Sequence, residues 1–123
     1  MPTKKLISRD VQHVTTKVLQ LMKDNYEKIT MLTCYDYLTA KFLDAAKIEL
    51  ILVGDSLSNV IQGNETTLPV TLDEMIYHTS IVRKGFEIAM VIADMIFMSY
   101  QAGIDEAIQN CGKVMKLTGC DAI

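Results

Sequence analysis

The chain has 123 residues, half of them hydrophobic and 22% charged, which is enough apolar material for one small domain and too little charge for a disordered one. With 12 basic against 15 acidic residues the formal charge is -3, and no Lys/Arg run exceeds a pair, which excludes an electrostatic nucleic-acid binder. No apolar run approaches the roughly 18 residues of a membrane span, and the basic start Met1-Pro2-Thr3-Lys4-Lys5 leads into no apolar signal stretch, so a cytoplasmic protein is expected.

In chain order, Ser8 is placed to cap a helix over 8–25, in which Val11, Val14, Val18 and Leu21 recur at three- and four-residue spacing. Residues 29–35 read as a buried strand. Asp36 then caps a helix through Ala40, Leu43 and Ala46, and 48–53 is the next strand. A polar connection over 56–71 holds Gly63 and Pro69. Thr71-Leu72-Asp73-Glu74 fits a capping box, because the Thr hydroxyl and the Glu carboxylate three residues on can each satisfy the other's backbone N–H.

The next helix runs through Met75, Ile76, Thr79 and Val82 and stops at Gly85. A third strand over 88–93 and a helix over 105–117 come next, with Gly119 suited to a left-handed helix exit. Asp121-Ala122-Ile123 starts a fourth strand. Strand and helix alternating at this spacing demand parallel crossovers, so the class is α/β, in a single incomplete domain over 1–123 with βα units from 29 to 123.

Cys34, Cys111 and Cys120 form neither an even set nor a Cys-x-x-Cys pair, so reduced thiols are expected and no catalytic cysteine. Two apolar strands end in an acid: Ile51-Leu52-Val53-Gly54-Asp55 and Met90-Val91-Ile92-Ala93-Asp94. The carboxyl ends of parallel strands form one rim, so Asp55 and Asp94 can converge on a hard cation such as magnesium. A 2-keto acid would add a carboxylate and a ketone oxygen, and polarising that ketone would make an enolate accessible near neutral pH. The plain alternative is that Asp55 and Ser56 merely cap the next turn. His78, on a helix, reads as a surface or packing residue away from the strand ends; Tyr35 and Asp36 share the rim.

The stretches Met31-Leu32-Thr33-Cys34-Tyr35-Asp36-Tyr37, Leu52-Val53-Gly54-Asp55-Ser56-Leu57, Thr67-Leu68-Pro69-Val70-Thr71, Tyr77-His78-Thr79 and Ala93-Asp94-Met95 are together similar to the ketopantoate hydroxymethyltransferase family. The resemblance implies the N-terminal portion, about three and a half βα units, of a (β/α)8 TIM barrel of the phosphoenolpyruvate/pyruvate-binding type. It implies transfer of a hydroxymethyl group from 5,10-methylenetetrahydrofolate to 3-methyl-2-oxobutanoate, giving 2-dehydropantoate in pantothenate biosynthesis. Asp55 and Asp94 match the family's Mg2+ ligands, and Asp55, Ser56 and Asp94 its substrate-binding positions. Full-length members form homo-oligomers.

By the same resemblance the third metal ligand, a substrate lysine and the proton acceptor lie beyond Ile123, so no catalytic residue is expected in these 123 residues and the chain reads as a truncated form. Within the match, Ser58-Asn59 replaces a usual Gly-Met, Ile96 stands where Pro is common, and Lys47 occupies a Gly position. A serine at 58 would be strained if its backbone needed positive φ. Two other readings remain open at this point. One is a receiver-like magnesium-binding signalling domain, which wants an acidic pair where Tyr35-Asp36 stands; the other is an inactive half-barrel kept as an interaction module.

Overall fold

A computed structural model describes residues 11–123. Its elements in order are α1 (Thr16–Asp24), β1 (Met31–Thr33), α2 (Tyr37–Ala45), β2 (Leu50–Val53), α3 (Leu57–Val60), α4 (Leu72–Gly85), β3 (Met90–Ala93) and α5 (Ile104–Thr118). The three strands form one parallel sheet in the order β1-β2-β3. Register runs Met31 to Leu50 to Met90 and ends at Val53 opposite Ala93. The chain is therefore mixed α/β, as the alternation predicts.

Strand order and helix neighbours are both sequential: α2 packs on α4, and α4 on α5 and on β2 and β3. That arrangement disfavours the receiver-like reading, because a doubly wound receiver places its first strand between the second and the third. The core lies between sheet and helices, where Ile51, Val53, Val91 and Ala93 meet Ala40, Met75, Val82 and Val114. Alternation along β2 turns Leu50 and Leu52 to the opposite face, where they are half-buried.

The expected helix over 8–25 is shorter. Thr15 caps it by accepting the Val18 N–H at 3.3 Å, and the Val14 N–H is taken by the Ile88 carbonyl at 2.7 Å, which holds 11–15 outside the helix and against the leading end of β3. Ser8 lies outside the described residues. The strand expected buried over 29–35 is also corrected: β1 is three residues long and exposed throughout, since it is hydrogen-bonded to β2 on one side only and nothing among the described residues covers its outer face. The fourth strand begins as a single parallel bridge from Ile92 to Ala122.

The caps form as expected. Asp36 accepts the Thr39 N–H at 2.8 Å, and Thr71 and Glu74 exchange both capping-box bonds. Gly119 leaves α5 at φ 69. α2 closes in a Schellman motif, with Lys47 N–H to the Asp44 carbonyl at 3.0 Å and Ile48 N–H to the Leu43 carbonyl at 3.4 Å. Lys47 takes the left-handed position there, φ 58, where glycine is the usual occupant.

Where α2 crosses α4, Gly85 faces Ala40, and a Cβ built on Gly85 would overlap the Ala40 methyl and sit 3.2 Å from the Tyr37 carbonyl. Thr79, fully buried on α4, has a hydroxyl with no hydrogen-bond partner among the described residues. At the amino end of the sheet the Asp44 carboxylate accepts the Glu87 and Ile88 N–H groups at 3.3 and 3.1 Å. Among the described residues no helix is long and apolar enough to cross a membrane.

Candidate functional site

Parallel pairing decides where the two acids fall. Beyond the last paired residues, Val53 and Ala93, the Asp94 N–H donates to the Val53 carbonyl at 2.9 Å, which carries the β2–β3 ladder one residue further. Gly54-Asp55 and Asp94 thus leave adjacent strands at the same end of the sheet. Asp55 is half-buried and Asp94 exposed, and neither carboxylate hydrogen-bonds or ion-pairs with another described residue.

Asp55 caps no helix. The short helix α3, in a stretch whose sequence pattern reads as a polar connection, starts at Ser56 with helical backbone, φ -57 and ψ -15, and no side-chain cap bond. Its first turn closes through backbone alone, Leu57 N–H to Gly54 and Ser58 N–H to Asp55, at 3.1 and 2.9 Å. The Ser56 hydroxyl is instead 2.7 Å from the Tyr35 phenol oxygen, at the end of β1.

His78 is half-buried, in keeping with a packing residue, but it does not lie away from the strand ends as expected. It reaches the rim from α4 and places Nδ1 2.7 Å from the Tyr35 carbonyl. Periodicity puts it on a helix but gives no sign that this helix passes beside the segment that follows β1. His78 also faces Asp36 and Glu74, and its positive charge, when present, favours their ionised forms. The Asp36 carboxyl is lowered chiefly by the hydrogen bonds from the Thr39 N–H and hydroxyl, and the Glu74 carboxyl chiefly by the Gln62 amide. Burial, the largest cause, pushes the Cys34 thiol up, which agrees with the non-catalytic reading.

The loops that flank the site are held by local bonds. Ser58 sits inside α3 with no need of positive φ, so the strain expected from replacing glycine is absent. Its buried hydroxyl donates to the Thr66 carbonyl at 2.7 Å and accepts from the Asn64 amide at 3.1 Å. After β3, Ile96 is buried, and its carbonyl accepts both the Ser99 N–H at 3.2 Å and the Ser99 hydroxyl at 2.6 Å. The Asn110 amide ties the Ser99 carbonyl to α5 at 2.7 Å. Side-chain bonds restrain this turn where a proline would have restrained it through the backbone.

The donor chemistry fits magnesium in part. Two unengaged carboxylates on neighbouring strand ends are hard oxygen donors, and magnesium is commonly held by one or two carboxylates with water and substrate completing its shell. Among the described residues no group of three or more His, Cys, Asp or Glu side chains is close enough to hold a metal ion.

Comparison with known proteins supplies what geometry alone does not. Residues 13–123 match the family model described as Ketopantoate hydroxymethyltransferase. The chain is 52% identical over 120 residues to the 3-methyl-2-oxobutanoate hydroxymethyltransferase of Prosthecochloris aestuarii, covering 94% of this chain and 43% of that protein. It is 56% identical over 115 residues to that of Chlorobium phaeobacteroides, covering 90% and 42%. With that of Cytophaga hutchinsonii it shares 53% over 114 residues, covering 93% and 42%. The chain thus spans less than half the length of the curated relatives it matches.

Proposed function

The chain belongs to the ketopantoate hydroxymethyltransferase family, and on that premise we propose that it is the N-terminal part of an enzyme that transfers a hydroxymethyl group from 5,10-methylenetetrahydrofolate to 3-methyl-2-oxobutanoate in pantothenate biosynthesis. The observation that carries this reading is the family match over residues 13–123. Sequential strand order and a single run of contacting helices support a (β/α)8 barrel as the parent architecture.

In this reading Asp55 and Asp94 hold Mg2+, and Asp55, Ser56 and Asp94 face the keto acid. A magnesium ion held there would supply Lewis acidity, making the C–H beside a coordinated ketone more acidic. Ser56 contributes a hydroxyl and a backbone N–H to an anionic oxygen at the start of α3, where charge would otherwise be uncompensated. Asp55 is half-buried at the rim, next in sequence to Ser56. By family resemblance the remaining ligand and the general base fall outside these 123 residues, so turnover is proposed for the whole barrel, in a cytoplasmic homo-oligomer.

A chimera tests it. Residues 13–123 replace the matching segment of the Prosthecochloris aestuarii protein, and magnesium-dependent loss of the C3 proton of 3-methyl-2-oxobutanoate is followed by NMR in deuterated water. Exchange that is abolished by Asp55→Asn supports the reading. A folded chimera with no magnesium-dependent exchange would favour the inactive interaction module.

A further inference from the structure

The Ser56 hydroxyl has two properties that belong together. It sits at the start of a helix yet makes no capping bond, and it lies 2.7 Å from the Tyr35 phenol oxygen, with both side chains half-buried. Tyr35 is itself held from two directions. The Cys34 N–H donates to the Leu52 carbonyl at 3.1 Å, extending the β1–β2 ladder to the residue before Tyr35, and His78 Nδ1 bonds the Tyr35 carbonyl at 2.7 Å. The backbone around Tyr35 is thus held by a strand and a helix, and the bond to Ser56 holds its hydroxyl.

Direction follows from acidity. A phenol is a far stronger acid than an alkyl hydroxyl, so the favoured arrangement has Tyr35 donating and Ser56 accepting. The Ser56 proton is then free to point onward, and a hydroxyl that accepts one hydrogen bond is polarised into a better donor for the next. The relay runs from β1 to the start of α3 and ends on whatever anionic oxygen occupies the rim.

We propose that Tyr35 is a positioning residue for the keto-acid site, fixing the Ser56 rotamer and directing its proton at the substrate, with His78 anchoring Tyr35 from α4. This rests on the reading of Ser56 as a substrate contact. The role is one of orientation: Tyr35 acts through Ser56 and exchanges no proton with the substrate.

The test is Tyr35→Phe, which keeps the ring and removes only the hydroxyl. In the isolated chain, three-bond couplings at Ser56 report one dominant χ1 rotamer for the parent and averaged values for the variant, with no substrate needed. In the chimera, Tyr35→Phe raises KM for 3-methyl-2-oxobutanoate about 3- to 10-fold, as loss of one hydrogen bond predicts, and moves kcat less than about twofold. The KM effect vanishes in a Ser56→Ala background. Unchanged Ser56 couplings, or a KM effect that persists undiminished without the serine, overturn the role while the enzyme reading stands. A folded parent chimera without exchange overturns the enzyme reading and this role with it.

Discussion

The Asp94 N–H bonds the Val53 carbonyl at 2.9 Å, one residue past the last paired position of β2 and β3. That single bond keeps the start of the loop after β3 in step with the loop after β2. Two acids 39 positions apart are thereby brought to neighbouring strand ends, as their shared place after an apolar strand predicts.

Because neither carboxylate is engaged by another described residue, Asp55→Asn and Asp94→Asn should leave stability within about 0.5 kcal/mol, as for substitutions that break no partner. Each should weaken magnesium binding by about tenfold or more, since hard-cation affinity follows ligand charge. Calorimetric magnesium titrations of the chimera and thermal melts of the same variants separate the two effects. A variant that melts well below the parent would show a structural role for the acid.

Lys47 takes the left-handed position of the α2 Schellman motif at φ 58. A non-glycine residue there carries a steric cost of about 1–2 kcal/mol, partly offset by glycine's larger entropy loss on folding. Lys47→Gly should therefore raise stability by about 0.5–1 kcal/mol, read as a higher urea midpoint at unchanged slope.

The Thr79 hydroxyl is fully buried without a partner among the described residues. Replacing it by a methyl of the same shape removes an uncompensated desolvation cost, so Thr79→Val should be neutral or stabilising by up to about 1 kcal/mol. Thr79→Ala, which leaves a hole instead, should destabilise. Urea unfolding of the pair discriminates the two, and a clear loss of stability in the valine variant would mean that the hydroxyl has a partner.

The Asp36 and Glu74 carboxyls are both held below their ordinary range, Asp36 by the Thr39 N–H and hydroxyl and Glu74 by the Gln62 amide and the Thr71 N–H. A lowered folded-state pKa means that the unfolded chain binds the proton more readily. The stabilisation is thus present above the ordinary carboxylate range, near pH 4, and lost as pH falls through the folded values. Urea midpoints between pH 7 and pH 3 should fall accordingly. Asp36→Asn, which keeps a capping oxygen without the titration, should flatten that fall while changing stability at pH 7 by a few tenths of a kcal/mol.

Local chemistry is the legible part of the sequence. Asp36, the Thr71 and Glu74 box and Gly119 each announce a helix end within four residues, and each behaves so in the fold. The start of α1 is not legible, because what stops it is a bond from Val14 to Ile88, far along the chain. Exposure of β1 is hidden for a related reason: Met31 and Leu32 read as core by composition, and only the sheet order makes β1 an edge. At the site, the two strand-end acids Asp55 and Asp94 are legible from the apolar runs before them, whereas a substrate role for Ser56 comes from the family resemblance alone. The contacts of Tyr35 with Ser56 and His78 join residues 21 and 43 positions apart, which no periodicity or spacing encodes.

The meeting of Gly85 with Ala40 sets how closely two successive βα layers can nest. Contact there is between nearly bare backbones, so the pitch between units is a hard geometric stop and cannot be tuned by side-chain rotamers. Any bulkier residue at Gly85 would act like a shim, wedging α4 away from α2, since even a bare Cβ there overlaps the Ala40 methyl. The seating of one helix against the next thus depends on a single missing methyl group.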